Sequence, residues 1–458
     1  MKTKILGRAT LIAAAIGMWG SNASAQSIKD ALAQTYSTNP SLMAARARLR
    51  GVDEQVPQAL SGWRPTVEMS AEYGSSSFQT NTLQPPNRSQ HRDPRSIEFS
   101  ISQPLYSGGQ TTAATQEAEN NVKAERARLV TSEQNVLAEA ATAYLDVVRD
   151  QLVLDLNINN VQVLNRQLEA IRDRFAVGEV TQTDVSQAES RLARANADRI
   201  QSQANLEISR AAYRNVVGDS PGRLVQPPQT ADLPGNLSDA VKIATTQDPR
   251  VAAAEFDELA SSANVDQNFG ALLPSIRVVG TASRFFDSTS ETSRVDEYEG
   301  KFVLSVPIYQ AGEEHSVVRA AKQAVAERRR RTDQARLDAT EAATLAWEKL
   351  TSARARVVAF NAEIRAAEVA YDGVRREAEV GSRTVLDVLD AEQELLNARV
   401  DHARASRDEQ VASYELKVAT GQMTARRLAL GVEVYEPEDH YREVRDKWFG
   451  LNSSGGAE

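Results

Sequence analysis

Hydrophobic and polar residues follow two periods along this chain, and the pattern that covers most residues is helical. Residues 113–176 contain no proline and form a run rich in Ala, Glu and Arg, which is typical of a helix. At ~1.5 Å per residue this helix would be on the order of 90 Å long, a length that suits a coiled coil. The pattern predicts six helical segments: 28–60, 113–176, 184–217, 238–271, 313–380 and 387–420.

Between these helices, apolar and polar residues alternate with a period of two, the pattern of a β-strand with one apolar face. Four segments show the alternation, the first two more clearly than the last two: 67–73, 97–102, 276–281 and 301–306. The polar segments 75–94 and 285–296 are predicted to be connecting loops. We therefore predict two β-hairpins, at about 63–106 and 273–309.

The chain is internally duplicated. Pro40 and Pro249 are equivalent at a displacement of 209 residues, and QPLYSGG at 103–109 matches VPIYQAG at 306–312 at a displacement of 203. The displacement falls from 209 to 203 between these two matches, so the second copy is six residues shorter there. A length change confined to one segment marks a surface loop. The predicted organisation is a first repeat, a Pro-rich linker, a second repeat, and a C-terminal segment that ends in a disordered tail: 26–218, 219–240, 241–421 and 422–458.

Residues 1–25 have the order of a secretory signal peptide: basic residues, the apolar run ATLIAAAIGMWG, and Ala23-Ser24-Ala25. The apolar run is shorter than the roughly 20 residues that a spanning helix needs, so a membrane anchor is the weaker interpretation. We predict an exported mature chain that begins at Gln26. Because the chain contains no cysteine, neither disulfides nor a lipid-bearing thiol are expected.

Charge and side-chain chemistry indicate neither a nucleic-acid partner nor an enzyme. Removal of the three basic residues of the leader takes the formal net charge from −9 to about −12, which disfavours nucleic acid. We find neither a Gly-rich phosphate loop nor a nucleophile motif, and we expect no cofactor. The four histidines are scattered without a second ligand at metal spacing: His91, His315, His402 and His440.

The predicted strands raise a topological problem, because four strands cannot close a barrel and an open sheet leaves two edges unpaired. A small sheet packed on the helices in water is one solution. However, lipid tolerates only helices or closed barrels, and strands of about ten residues with alternating faces are what a transmembrane barrel needs. We therefore favour an oligomeric pore to which each copy contributes four strands.

One turn sequence occurs twice, as VGEVTQTDVSQAE at 177–189 and as VGSRTVLDVLDAE at 380–392. Each stretch has a glycine that can end a long helix, followed by a threonine and an aspartate at the spacing of a capping box. The residues that build the two predicted helix turns are Gly178, Thr181 and Asp184 in the first copy, and Gly381, Thr384 and Asp387 in the second.

Only the second copy adds another acid one helical turn further on. Asp390 has no capping role that the spacing explains, and Gln187 stands at the equivalent position of the first copy. An unpaired acid on an apolar-flanked helix face needs water or a partner. Asp390 is therefore a candidate functional residue.

The chain resembles the TolC family of outer-membrane efflux and secretion channel-tunnels over about residues 28–430. Three features carry this resemblance: the duplicated strand pairs, the stretch QPLYSGG and the stretch VGSRTVLDVLDAE. The resemblance implies a mixed α and β membrane protein: a homotrimer with a twelve-stranded barrel in outer-membrane lipid, on a twelve-helix α-barrel across the periplasm of a Gram-negative bacterium. A belt around the tunnel would use the linker and residues after Gly421. The implied partners are a periplasmic adaptor and an inner-membrane transporter, and the implied cargo is drugs or, in type I secretion, proteins.

The resemblance also implies a gate at the periplasmic entrance. Rings of Asp387 and Asp390 from three copies would surround its narrowest part, where crowded carboxylates bind cations. The implied lock uses Arg383, Thr183 and Asp184. The family's gate tyrosine falls at Ala378 in this chain, so this part of the lock differs.

Two other classes of protein share some of these features. A periplasmic adaptor has long helical hairpins, but it should also carry an inner-membrane anchor or a lipidated cysteine, and paired β-hairpins would serve no purpose in it. A cell-envelope scaffold would keep the duplication but would conduct no ions.

Overall fold

The computed structural model describes residues 26–79, 89–288 and 292–452. The predicted signal peptide, the end of the predicted tail and the centres of the two predicted loops lie outside the described residues. The helices are α1 (Ile28–Thr38), α2 (Pro40–Asp53), α3 (Gln55–Leu60), α4 (Gln110–Ala176), α5 (Gln182–Val217), α6 (Leu237–Gln247), α7 (Pro249–Gly270), α8 (Glu313–Glu379), α9 (Val385–Ala419) and α10 (Asp439–Val444), with a 3-10 turn at Ser61–Trp63. The strands are β1 (Thr66–Tyr73), β2 (Ser76–Gln79), β3 (Ser89–Arg92), β4 (Arg95–Ser107), β5 (Ser275–Phe286) and β6 (Arg294–Ser305).

The segment predicted as one helix over 28–60 is helical but divides into α1, α2 and α3. The break before α2 has a local cause, because a residue that precedes proline disfavours the helical region. Asn39 is accordingly extended, with φ −67° and ψ 121°, and Pro40 occupies the first turn of α2, where its missing N–H is tolerated. Asp248 and Pro249 repeat this break between α6 and α7.

The long helices α4 and α8 are equal in length, at 67 residues each, and run about 100 Å away from the sheet. Their partners α5 and α9 return over 36 and 35 residues, so each copy is a helix hairpin with one long and one short arm. The main core lies where the short arms end. Tyr144 of α4 is fully buried there, and its hydroxyl accepts the Val225 N–H at 3.0 Å and also bonds the carbonyl of Gln26.

One antiparallel sheet combines strands of both copies in the order β1-β4-β5-β6. The strands predicted from alternation are confirmed but are too short, because β4 and β5 pair along their length and continue beyond the alternating residues. The prediction of loops at 75–94 and 285–296 is wrong in part. The first contains the β2–β3 ladder, and β5 and β6 extend into the second.

The C-terminal segment after α9 packs back on the first copy. Its helix α10 contacts α2, where His440 Nδ1 lies 3.1 Å from the fully buried Asp53 carboxylate. Across the described ranges, no helix combines the length and the hydrophobicity that crossing a membrane requires.

Candidate functional site

The two predicted helix turns are confirmed, and they lie at the ends of α4 and α8 that are farthest from the sheet. Gly178 and Gly381 have φ values of +80° and +81°, in the left-handed region that favours glycine. Both turns are closed by the same hydrogen bond. The Gly178 N–H donates to the carbonyl of Phe175 at 3.0 Å, and the Gly381 N–H donates to the carbonyl of Ala378 at 3.1 Å.

Both predicted capping boxes are present at the starts of α5 and α9. The Asp184 carboxylate accepts the Thr181 N–H at 2.8 Å, and the Asp387 carboxylate accepts the Thr384 N–H at 2.9 Å. Each threonine hydroxyl accepts in return from the aspartate N–H, which satisfies amides that a helix start leaves free. The hydrogen bonds from the backbone and hydroxyl of Thr384 lower the pKa of Asp387.

Asp390, the acid without a capping role, has a partner within the chain. Its carboxylate forms an ion pair with Arg191 of α5, so the pair joins the second helix hairpin to the first. The Asp390 side chain is still 55% exposed, and it therefore keeps access to water. No local pattern indicated Arg191, which stands 199 positions away.

A second link between the hairpins was not predicted. Gln167 of α4 donates from Nε2 to the Glu392 carboxylate of α9 at 2.5 Å, and Tyr371 of α8 lies beside this pair. Glu392 is only 8% exposed, and its burial raises its pKa, an effect that Gln167 partly offsets. A sequence signal existed, because Glu392 stands midway between the buried Leu389 and Leu395 at helical spacing.

The residues expected to lock the gate do not meet within one chain. The Arg383 guanidinium bonds Glu377 of its own turn at 2.9 Å, while the Asp184 carboxylate serves its own capping box. Ala378, the position of the family tyrosine, lines a cleft of about 440 Å³ between the two long helices, together with Gln167 and Tyr371. Among the described residues, no group of His, Cys, Asp and Glu side chains could hold a metal ion.

An open sheet joined to two long helical hairpins is a fold found in solved outer-membrane proteins. A model of the family described as outer membrane efflux protein matches residues 31–219 and 240–422, and the chain belongs to this family. The predicted resemblance is thereby confirmed.

Several relatives match most of the chain. It is 34% identical to the outer membrane efflux protein BepC of Brucella suis, over 99% of this chain and 98% of BepC. It is 23% identical to the outer membrane protein TolC of Vibrio cholerae (90% and 94% covered) and 24% identical to the proteases secretion protein PrtF of Dickeya chrysanthemi (86% and 87% covered).

The fold matches that of a solved outer-membrane protein. VceC of Vibrio cholerae superposes with a TM-score of 0.73 at 20% identity, over 86% of this chain and 96% of VceC. The chain is thus an outer-membrane efflux channel protein with a mostly helical mixed α and β fold. The family consists of channels rather than enzymes, which disfavours the adaptor and scaffold alternatives.

Proposed function

We propose that three copies of this chain form a closed barrel of twelve strands in the outer membrane and a tunnel of twelve helices below it. The observation that carries this proposal is the open sheet, in which β1 and β6 are edge strands with unpaired backbone groups. Edges of this kind are not tolerated in lipid, and pairing β1 of one copy with β6 of the next removes all of them.

The two faces of the sheet support the same arrangement. Strand register places apolar side chains on one face, and several are strongly exposed: Met69 at 70%, Tyr298 at 79% and Phe302 at 79%. The opposite face carries mostly polar residues, among them Glu68, Ser70, Glu98, Ser283 and Glu299. A barrel with lipid outside and water inside requires this division.

In the proposed assembly, a periplasmic adaptor and an inner-membrane transporter deliver the cargo to the helical end. Relatives named for efflux and for protease secretion support small molecules and proteins, respectively, as cargo classes. The signal peptide (1–25), the two repeats (26–218 and 241–421), the linker (219–240) and the C-terminal segment (422–458) complete the proposed organisation, in which the linker and part of the C-terminal segment build the belt.

We also propose that the turn of α8 and α9 forms the gate, with Asp387 and Asp390 of three copies around the entrance. The Arg383 side chain is half exposed, and its ion-pair partner among the described residues is Glu377 of the same turn. It is therefore free to reach Thr183 and Asp184 of a neighbouring copy when the gate closes.

Cysteine cross-linking tests the assembly directly, because the chain has no cysteine of its own. Ala71→Cys in β1 is combined in turn with Tyr298→Cys, Gly300→Cys and Phe302→Cys, which scan one face of β6. Oxidation of one combination should give disulfide-linked dimers and trimers, and the purified mature protein in detergent should have the mass of three chains.

The matched control keeps the β6 cysteines but places their partner at Phe99→Cys, in the central strand β4. Because β4 already has a strand on each side, this control should give no intermolecular bond. A chain that remains monomeric and soluble without detergent would contradict the proposed pore.

The lock is tested by Arg383→Ser in planar bilayers. Conductance should rise while the fold persists, since each exposed ion pair contributes only about 0.2 to 1 kcal/mol but three are lost together. Arg375→Ser is the control, because the ion pair of Arg375 with Glu379 stays within α8 at 3.4 Å. If Arg383→Ser and Arg375→Ser have equal conductance, Arg383 does not hold the gate closed.

A further inference from the structure

A cavity of about 490 Å³ lies away from the tunnel turns, where four segments of the chain meet. Its walls come from the start of α1, the linker at 225–232, the last turns of α9, and the C-terminal segment near Leu430. The volume falls within the range of roughly 300 to 1,000 Å³ that is usual for small-molecule sites. The cavity lies within the proposed belt, and none of the functions proposed above assigns it a ligand.

The charged residues of the wall are mostly basic, although the chain as a whole carries a formal net charge of −9. Lys29, Lys417 and Arg427 line the cavity, and the opposing acid in the wall is Asp232. Arg427 donates to a neutral partner, the Gln247 side chain, at 2.9 Å. The cavity therefore has a positive potential that favours an anion.

Lys417 is the strongest indication of a ligand. The residue is only 8% exposed, and within the described residues its side chain has neither a hydrogen bond nor an ion pair. The side chain is partly withdrawn from water, which is unfavourable for an ammonium group without a partner, and this partial burial lowers the pKa of Lys417, an effect that Asp232 opposes and Lys29 reinforces. A bound anion would supply the missing partner.

The remaining wall is apolar, so the anion should have an apolar body. Ile28, Leu32 and Leu430 are buried residues of the lining, and Pro227 and Pro228 add rigid apolar surface from the linker. We propose that this cavity binds a single amphipathic anion, with its carboxylate, sulfate or phosphate group at Lys417 and Lys29 and its apolar body against Leu32 and Leu430.

The position of the cavity indicates where this ligand comes from. Arg427 bonds Gln247 just before α7, and the 22 residues of α7 then lead to the sheet, a distance of about 33 Å. If the sheet lies in the membrane, as proposed above, the cavity opens to the aqueous periplasm. The ligand is then a dissolved amphiphile rather than a lipid of the surrounding bilayer.

Binding is measured with dodecanoate as the probe and with the mature full-length protein in phosphatidylcholine nanodiscs, where no detergent competes. Calorimetry should show one site per chain, and dodecanoate should raise the unfolding temperature. Dodecyltrimethylammonium, which has the same chain length and the opposite charge, should show no binding beyond that of empty nanodiscs.

Lys417→Met keeps the apolar stem, removes the charge, and should weaken dodecanoate binding at least tenfold. Lys29→Met, at an exposed position of α1, should weaken binding several-fold. Lys242→Met, an exposed lysine of α6 outside the cavity, is the matched control and should bind like the wild type.

Three results would overturn the proposal: no saturable dodecanoate binding, equal binding by Lys417→Met and wild type, or equal binding of the cationic probe. A further experiment repeats the dodecanoate titration in nanodiscs in which phosphatidylglycerol replaces part of the phosphatidylcholine. Unchanged dodecanoate binding supports a dissolved ligand, whereas its loss would overturn that source in favour of bilayer lipid. Because all arms measure binding to the chain itself, they are independent of whether the pore conducts.

Discussion

At the scale of single residues, the helix turns depend on glycines whose backbone other residues adopt only with strain. The left-handed conformation of Gly381 costs a residue with a Cβ atom about 1 to 2 kcal/mol, so Gly381→Ala should lower the free energy of unfolding by that amount. Gly373→Ala is the control within α8, where an added Cβ meets no atom within 4 Å. It should stabilise the protein by up to about 1 kcal/mol. Destabilisation of equal size in both variants, measured in denaturant, would contradict this account.

Glu392 makes stability depend on pH. Because burial raises its pKa in the folded state, folding favours the protonated form, and the contribution of Glu392 becomes less favourable as pH rises from its unfolded pKa through its folded pKa. Glu392→Gln should therefore unfold at a higher temperature than the wild type at pH 7. The difference should vanish below the unfolded pKa of about 4.3.

The matched control for this pH dependence is Glu394→Gln, at an exposed position of the same helix. It should unfold like the wild type between pH 4 and pH 8. A Glu392→Gln variant that is less stable than the wild type at pH 7 would mean that the charged hydrogen bond from Gln167 outweighs the cost of burial.

The same residues show which parts of the site a sequence can reveal. The capping boxes were predictable, because Thr384 and Asp387 are three residues apart and their interaction is local. The partners of Asp390 and Glu392 are 199 and 225 positions away. They depend on how two hairpins pack and rotate against each other, which no local pattern specifies.

At the scale of elements, the arms of the two long hairpins were predictable almost to their ends, because long proline-free runs and caps are local signals, whereas the segments predicted as single helices at 28–60 and 238–271 divide at Pro40 and Pro249. The strands were found but were too short. In β5, Val278 and Val279 interrupt the alternation, yet β4 and β6 pair with both residues and hold them in the sheet. Pairing between strands thus extends a sheet beyond the residues whose side chains alternate between apolar and polar.

The two faces of β5 can be tested at adjacent positions. Ala282 lies between Phe99 and Tyr298 on the apolar face, and Thr281 lies between Ser100 and Glu299 on the polar face. A lysine that faces lipid near the bilayer midplane costs roughly 2 to 4 kcal/mol, whereas a lysine in a water-filled lumen costs little. Ala282→Lys should therefore reduce insertion into lipid vesicles, and Thr281→Lys should insert like the wild type. Comparable insertion of both variants would contradict the proposed orientation.

At the scale of the whole molecule, duplication supplies two equivalent turns, and the structure shows how they differ. The first copy has Gln187 where the second has Asp390, and Arg191 of the first copy pairs with that acid. The first hairpin therefore supplies a cation that partly neutralises the second. In the proposed trimer, three such pairs would set the net charge of the entrance.

The last prediction concerns this entrance charge, measured as block of the pore by multivalent cations added on the periplasmic side. The double variant Asp387→Asn/Asp390→Asn should relieve the block and reduce cation preference, because the field of the ring depends on the summed carboxylate charge. Arg191→Gln should strengthen the block, since it removes the cation that pairs with Asp390. Gln187→Asp is the control, because it adds an acid to the turn proposed to lie outside the constriction. If the double variant is blocked as strongly as the wild type, or if Gln187→Asp strengthens the block as much as Arg191→Gln does, the two aspartates only build a helix start and the gate lies elsewhere.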